Sequence, residues 1–153
     1  MCLQVTDDLT LAARNLRVPV GAEGASQRKK SKTRALQVQA VYGGVGFEKQ
    51  TAALARGVDV VVGTPGRLLD LAQQGYLQLQ TVEIVVLDEA DEMLDQGFLD
   101  DVRDILTQTS PQRQTMLFSA TMPGPIAALT RTFMRHPVLI QADSCLLYTS
   151  PSP

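Results

Sequence analysis

A parallel-sheet α/β fold is what this chain predicts, and three observations predict it. Apolar runs of strand length recur along the sequence, at Val38–Tyr42, Val58–Gly63, Ile84–Leu87 and Thr115–Phe118. Segments with helical apolar spacing separate them, at Phe47–Leu54, Arg67–Gln74 and Leu99–Gln108. Each run ends in small, hydroxyl or acidic residues: Gly43-Gly44, Thr64-Pro65-Gly66, Asp88-Glu89 and Ser119-Ala120-Thr121. Right-handed parallel crossovers finish every strand at the same edge of the sheet, where α/β proteins collect ligands. The spacing therefore predicts that Gly44, Thr64, Asp88 and Ser119 share one rim.

Taken in order, Leu9, Leu11, Ala12, Ala13 and Leu16 predict a first helix to about residue 17, ended by Val18-Pro19-Val20-Gly21. A dense basic run comes next, Arg28-Lys29-Lys30-Ser31-Lys32-Thr33-Arg34, preceded by Gly21, Gly24, Ser26 and Gln27. It reads as a solvated loop with a nonspecific attraction for phosphates. The strand Val38–Tyr42 stops at the glycine pair, and the helix from Phe47 to Leu54 is capped by Gly57. The strand from Val58 to Gly63 leads through Thr64-Pro65-Gly66 to a short helix, Arg67 to Gln74, ended at Gly75. The strand Ile84–Leu87 carries the acids, and Met93, Leu94 and Phe98, at near-helical spacing, read as core. The helix Leu99–Gln108, the strand Thr115–Phe118, a helix from Ile126 to Met134 and a last strand, Val138-Leu139-Ile140, complete the set. His136, the single histidine, precedes Pro137 and reads as a loop residue.

Composition narrows the class. With 153 residues and 44% hydrophobic content, one domain with a real core is expected. No apolar stretch approaches the length that spans a bilayer. The two cysteines, Cys2 and Cys145, lie at opposite ends without metal-ligand spacing, which argues against a disulfide scaffold or zinc site and for a reducing cytoplasm. A net charge of −2 does not exclude a nucleic-acid partner, because phosphate contacts need only a local patch of cations and backbone amides.

The chemistry concentrates at Glu83-Ile84-Val85-Val86-Leu87-Asp88-Glu89-Ala90-Asp91-Glu92. Asp88 and Glu89, delivered to a sheet rim, suit a divalent metal and an activated water. Mg²⁺ takes oxygen ligands and keeps several waters, so one carboxylate can hold the hydrated ion while its neighbour orients the nucleophile. Acids at this place also suit a helix N-cap, which needs no ligand. The other clusters have equally plain readings: Thr64-Pro65-Gly66 as a helix-capping turn, Gly43-Gly44 as a turn, and Ser119 and Thr121 as caps before Pro123.

Together, however, Asp88-Glu89-Ala90-Asp91, Thr64-Pro65-Gly66-Arg67, Ser119-Ala120-Thr121 and Gly43-Gly44 resemble the Walker B, TPGR, SAT and double-glycine motifs of the DEAD-box ATP-dependent RNA helicases. They stand in the family's order, each behind a predicted strand. The resemblance runs from Met1 to about Ser144 and implies an incomplete RecA-like P-loop NTPase fold, the first helicase domain. It implies Mg²⁺-ATP as substrate, Asp88 on the hydrated metal and Glu89 on the attacking water. Asp91 would hydrogen-bond to Ser119 and Thr121, the pair that couples hydrolysis to strand separation. Gly43, Gly44, Thr64, Pro65, Gly66 and Arg67 would hold the RNA backbone, giving little sequence selectivity.

The chain departs from the family in several places. It contains no GxxxxGK(S/T) loop to cradle phosphates, no upstream glutamine motif, no PTREL motif and no second RecA-like domain with its arginine finger. Met1-Cys2-Leu3-Gln4-Val5 resembles the family's residues just after PTREL, so an interior piece of a longer protein, inactive alone, is expected. Residues 145–153, rich in Ser and Pro, read as a non-native or disordered tail. The family strand leading into Walker A lies between the strand ending at Phe118 and Val138–Ile140, so exposed strand edges are expected. Many members carry an arginine three residues after the glutamine at Gln50, where this chain has Ala53. Two other readings fit part of the pattern: a non-enzymatic RNA-binding module, and a DNA-directed helicase relative.

Overall fold

The computed structural model describes residues 2–19 and 33–141. The readings of residues 20–32, which hold most of the basic run, and of the tail at 145–153 lie outside the described residues. The described residues form six helices, α1 Cys2–Ala12, α2 Phe47–Ala55, α3 Pro65–Gln73, α4 Ala90–Asp95, α5 Leu99–Gln108 and α6 Gly124–Phe133, and six strands. The strands are β1 Arg17–Pro19, β2 Thr33–Ala35, β3 Val38–Val41, β4 Val60–Gly63, β5 Ile84–Leu87 and β6 Gln114–Leu117.

The motif-bearing strands pair in parallel, β3 with β4 and β5 with β6. Their registers end at Val41 opposite Gly63 and Leu87 opposite Leu117, so within each pair both motifs leave from the same edge. The α/β class expected from the sequence is the observed one. Among the described residues the sheet is not continuous, however: β4 and β5 share no ladder, and α3 against α5 joins the two halves instead. Each half has its own core. Val41, Leu54 and Leu71 form one, with Phe47, Val61 and Leu68 packed against it. Leu87, Val102, Leu106 and Leu129 form the other, with Val85, Met93 and Phe133 around them. Burying a side chain of this size stabilises by roughly 1.5–3 kcal/mol, which is why the apolar periodicity decides where the helices lie.

Several local expectations are corrected. The first helix starts at Cys2 and is over by Ala12, with a single tight turn at 13–15. Arg17–Pro19, expected to end a helix, forms an antiparallel ribbon with Thr33–Ala35. Thr33 and Arg34 are thus strand residues rather than loop, paired with Pro19 and Val18, and the Arg34 guanidinium grips both carboxylate oxygens of Asp59, Nη2 to Oδ1 at 2.8 Å. That fork draws the Asp59 carboxyl below its usual range. A short helix, α4, comes directly after the acids. Finally, Val138–Ile140 is no strand and is 84%, 77% and 87% exposed residue by residue. A strand needs a ladder neighbour, and a cleft of about 1810 Å³ separates this segment from β6.

Gly63 marks the tightest approach between β3 and β4. A Cβ there would stand 2.6 Å from both the Val41 carbonyl oxygen and Val41 Cγ2, and 2.8 Å from Leu68 Cγ. The carbonyl cannot swing away without breaking the ladder, so Gly63→Ala should destabilise the chain by about 1–3 kcal/mol, read from urea unfolding. The exposed Ile84, Val86, Phe118 and Val138–Ile140 predict a broad thermal transition accompanied by self-association, checked by calorimetry and sedimentation at several concentrations.

Candidate functional site

β5 turns Leu87 into the core and leaves Asp88 and Glu89 in solvent. The β5–β6 pairing continues past its last register pair: Phe118 N–H donates to the Leu87 carbonyl at 2.8 Å, and Ala90 N–H to the Phe118 carbonyl at 3.0 Å. Residues 88–91 therefore run alongside 118–121. Thr121 donates both its backbone N–H and its hydroxyl to Asp91 Oδ2, each at 2.9 Å. The Asp91 N–H donates in turn to Ser119 Oγ at 3.1 Å. Led by the Thr121 hydroxyl, the contacts of Thr121 and Ser119 hold the Asp91 carboxyl at about 2, well below its ordinary value. Thr121 is thereby committed to Asp91, and α6 begins behind Pro123 without a side-chain cap.

Glu89 occupies the left-handed region, φ 52° and ψ 52°, which a residue with a Cβ adopts at a cost of about 1–2 kcal/mol. The Glu89 N–H donates to Asp88 Oδ1 at 3.1 Å, and the Glu89 side chain makes no cap bond to α4. The kinked backbone turns the chain sharply out of β5, and both carboxylates face the large cleft also lined by Ser119, Thr121 and Met122. Among the described residues no three His, Cys, Asp or Glu side chains are grouped to hold a metal by themselves. Two adjacent exposed carboxylates do not make a closed zinc or calcium cage, but they fit Mg²⁺, which keeps its waters and takes further oxygens from a phosphate substrate.

The second cluster stands at the ends of β3 and β4. Thr64 N–H donates to the Val41 carbonyl at 3.2 Å, and Pro65, buried, opens α3. Thr64 makes no side-chain cap. Gly44 sits at φ 82°, the conformation that favours glycine, and both Gly43 and Gly44 are exposed with open space around them. Arg67 is turned toward that loop: its guanidinium lies 5.6 Å from the Phe47 ring centre, Nη1 reaches the Val45 carbonyl at 3.4 Å, and Nε is 4.0 Å from Asp70. Gly66 lies beside α5, where a Cβ would be 3.4 Å from Asp101 Oδ2.

The structure thus brings the predicted residues together as two groups, Asp88, Glu89, Asp91, Ser119 and Thr121 in one, and Gly43, Gly44, Thr64, Pro65, Gly66 and Arg67 in the other. Two features were not read from the sequence. The strain at Glu89 has no residue-level signal, since non-glycine residues seldom adopt it. Gln50 is buried at 3% exposure, and Nε2 donates to the Tyr42 carbonyl at 3.0 Å. A long polar side chain in the apolar face of α2 was its available signal.

Comparison with known proteins identifies the family. The family model described as DEAD/DEAH box helicase matches residues 22–129. The chain belongs to this family. It is 53% identical over 110 residues to RNA helicase CrhR of Synechocystis, covering 72% of this chain and 22% of that protein. It is 50% identical over 106 residues to the DEAD-box ATP-dependent RNA helicase CshA of Streptococcus pneumoniae, covering 69% and 20%. It also resembles the solved structure of a hypothetical ATP-dependent RNA helicase from Sulfolobus tokodaii, with TM-score 0.63, 45% identity, and coverage of 66% of this chain and 30% of that one. A DEAD box protein from Methanococcus jannaschii matches at TM-score 0.63 and 44% identity, over 66% and 28%. The chain spans about a fifth of the length of these two curated relatives. The helicase domain's RecA-like α/β fold is therefore the fold of the matched part.

The Asp91 contacts have a pH signature. A carboxyl whose folded value lies near 2 stabilises the fold above its ordinary value of 3.8, and that contribution is lost as pH falls through about 2. Thr121→Ala removes the leading donor. In this variant the Asp91 midpoint, followed by carboxyl NMR shifts, should move up toward 3.8, and acid unfolding should begin at higher pH.

Proposed function

We propose that this chain is part of the ATP-hydrolysing, RNA-gripping first domain of an ATP-dependent RNA helicase that separates short duplexes. The observation that carries the reading is the seam in which Asp91 binds both the Thr121 hydroxyl and N–H while Asp88 and Glu89 remain open to solvent at the same rim. A hydrolytic centre that must report its state needs both elements: carboxylates open to metal and water, and a carboxylate already tied to a second segment.

Mg²⁺, when bound with a triphosphate, would supply charge neutralisation at the transferring phosphoryl group. Asp88 would hold the hydrated ion through water, and Glu89 would orient and take a proton from the attacking water. Asp91, Ser119 and Thr121 would transmit the change by shifting residues 118–121 against 88–91. The glycine loop and Arg67 would hold phosphates and riboses, so RNA sequence would matter little. A GxxxxGK(S/T) loop and a second RecA-like domain, neither present in these 153 residues, would complete the nucleotide site. The names of the matched relatives, RNA helicase and ATP-dependent RNA helicase, support RNA over DNA as the partner. A cytoplasmic site of action accords with two cysteines placed at opposite ends of the chain.

The test compares the chain alone with a protein that carries it together with a phosphate-cradling loop and second domain. RNA-stimulated phosphate release should be at background for the chain alone. In the longer protein, Glu89→Gln should lower it at least about 100-fold. Vigorous turnover by the isolated chain would refute its inactivity alone, and an active Glu89→Gln variant would defeat the assignment of the catalytic acid.

A further inference from the structure

Gln50 is a deeply buried polar side chain of α2, and its placement is costly in a telling way. Its amide nitrogen donates to the Tyr42 carbonyl at 3.0 Å and reaches the Val45 carbonyl at 3.5 Å. Carbonyls only accept, so the amide must turn its nitrogen toward them. Its oxygen, Oε1, is then buried with no donor among the described residues. A side chain kept for packing would not leave a buried acceptor unpaired, since methionine fills the same volume without that penalty. Both carbonyls that Gln50 holds flank Gly43 and Gly44, and Arg67 reaches the same Val45 carbonyl from α3 at 3.4 Å. The glycine loop is thus pinned from two helices, by a buried neutral donor and a partly buried cation.

We propose that Gln50 is a positioning residue for the RNA backbone: by fixing the Tyr42 and Val45 carbonyls it sets the turn at Gly44, φ 82°, so that the loop amides and Arg67 meet one phosphate together. The inference rests on the RNA-binding reading of the glycine loop. Gly43 and Gly44 lack side chains, so nothing of their own holds the turn, and an unpinned glycine loop samples many conformations before it can bind. Gln50 carries no charge and lies beneath the surface, so it acts on RNA through the loop alone.

The test measures binding of a single-stranded oligouridylate of about ten nucleotides to the whole chain across a range of salt. The proteins are wild type, Gln50→Met, Gln50→Glu and Arg67→Ala. Gln50→Met should weaken binding about fivefold to tenfold at every salt concentration, the loss of one to two hydrogen bonds, with the salt slope unchanged. Its melting midpoint should stay within a few degrees of wild type, and the Gly43 and Gly44 amides should broaden or shift in NMR spectra. Gln50→Glu, which sets a carboxylate against two carbonyls, should weaken binding further. Arg67→Ala should lower affinity and also reduce the slope by about one. Wild-type affinity in Gln50→Met and Gln50→Glu, with Arg67→Ala impaired, would overturn the positioning role and leave the RNA reading standing. No binding by the wild-type chain would overturn both.

Discussion

The two backbone bonds that prolong the β5–β6 pairing, Phe118 N–H to Leu87 and Ala90 N–H to Phe118, are the constraint on which the acidic site depends. They hold residues 88–91 and 118–121 side by side after both strands have ended, in a region where no regular ladder would keep them. Without that alignment the Thr121 hydroxyl would not reach Asp91, and the acid would titrate as an ordinary surface carboxyl. The same bonds fix the start of α4, because Ala90 is at once a ladder donor and the first residue of the helix. The left-handed backbone at Glu89 is the geometrical consequence. A chain that must leave a strand, keep one more ladder bond and begin a helix within three residues has to reverse direction somewhere, and Glu89 absorbs the reversal.

The division of the molecule into two small cores arises from the same topology. β3 and β4 close on α2 and α3, β5 and β6 on α5 and α6, and the halves meet through helices rather than strands. Helix contacts of this kind are less directional than a ladder, and the packing of α3 on α5 is what relates the glycine loop to the acids. Within each half the geometry is far more constrained. Gly63 shows how tightly: the close approach of β3 and β4 leaves no room for even one carbon, and that approach places the Val41 carbonyl where Thr64 N–H can bond to it.

Most of the architecture was legible because apolar periodicity and glycine placement are local signals. Ile84–Leu87 and Leu99–Gln108 have the predicted bounds, and Gly57 and Gly75 both adopt the positive φ that their capping positions require. The features that were not legible depended on partners. Arg34 reads as one more cation in a solvated run until Asp59, distant in sequence, is placed beside it. Val138–Ile140 has the composition of a strand, yet composition cannot supply a neighbouring strand, and the three residues stay exposed. The order of the motifs along the chain is a signal that says which segments belong together and nothing about the bonds between them.

Those bonds show why the two rims have opposite electrostatic characters. At the acidic rim Asp91 accepts two bonds from Thr121 at Oδ2, while Asp88 and Glu89 have no cationic partners among the described residues, so uncompensated negative charge collects there. At the glycine rim Arg67 is only partly neutralised by Asp70 at 4.0 Å, and its guanidinium is held over Phe47 rather than paired in a fork. A cation stacked on an aromatic ring keeps most of its capacity to bind an anion, whereas a forked ion pair such as Arg34 with Asp59 has little left. Of these two arginines, Arg34 is tied into the fold by its fork with Asp59, whereas Arg67 has only looser contacts, with Asp70, the Val45 carbonyl and the Phe47 ring.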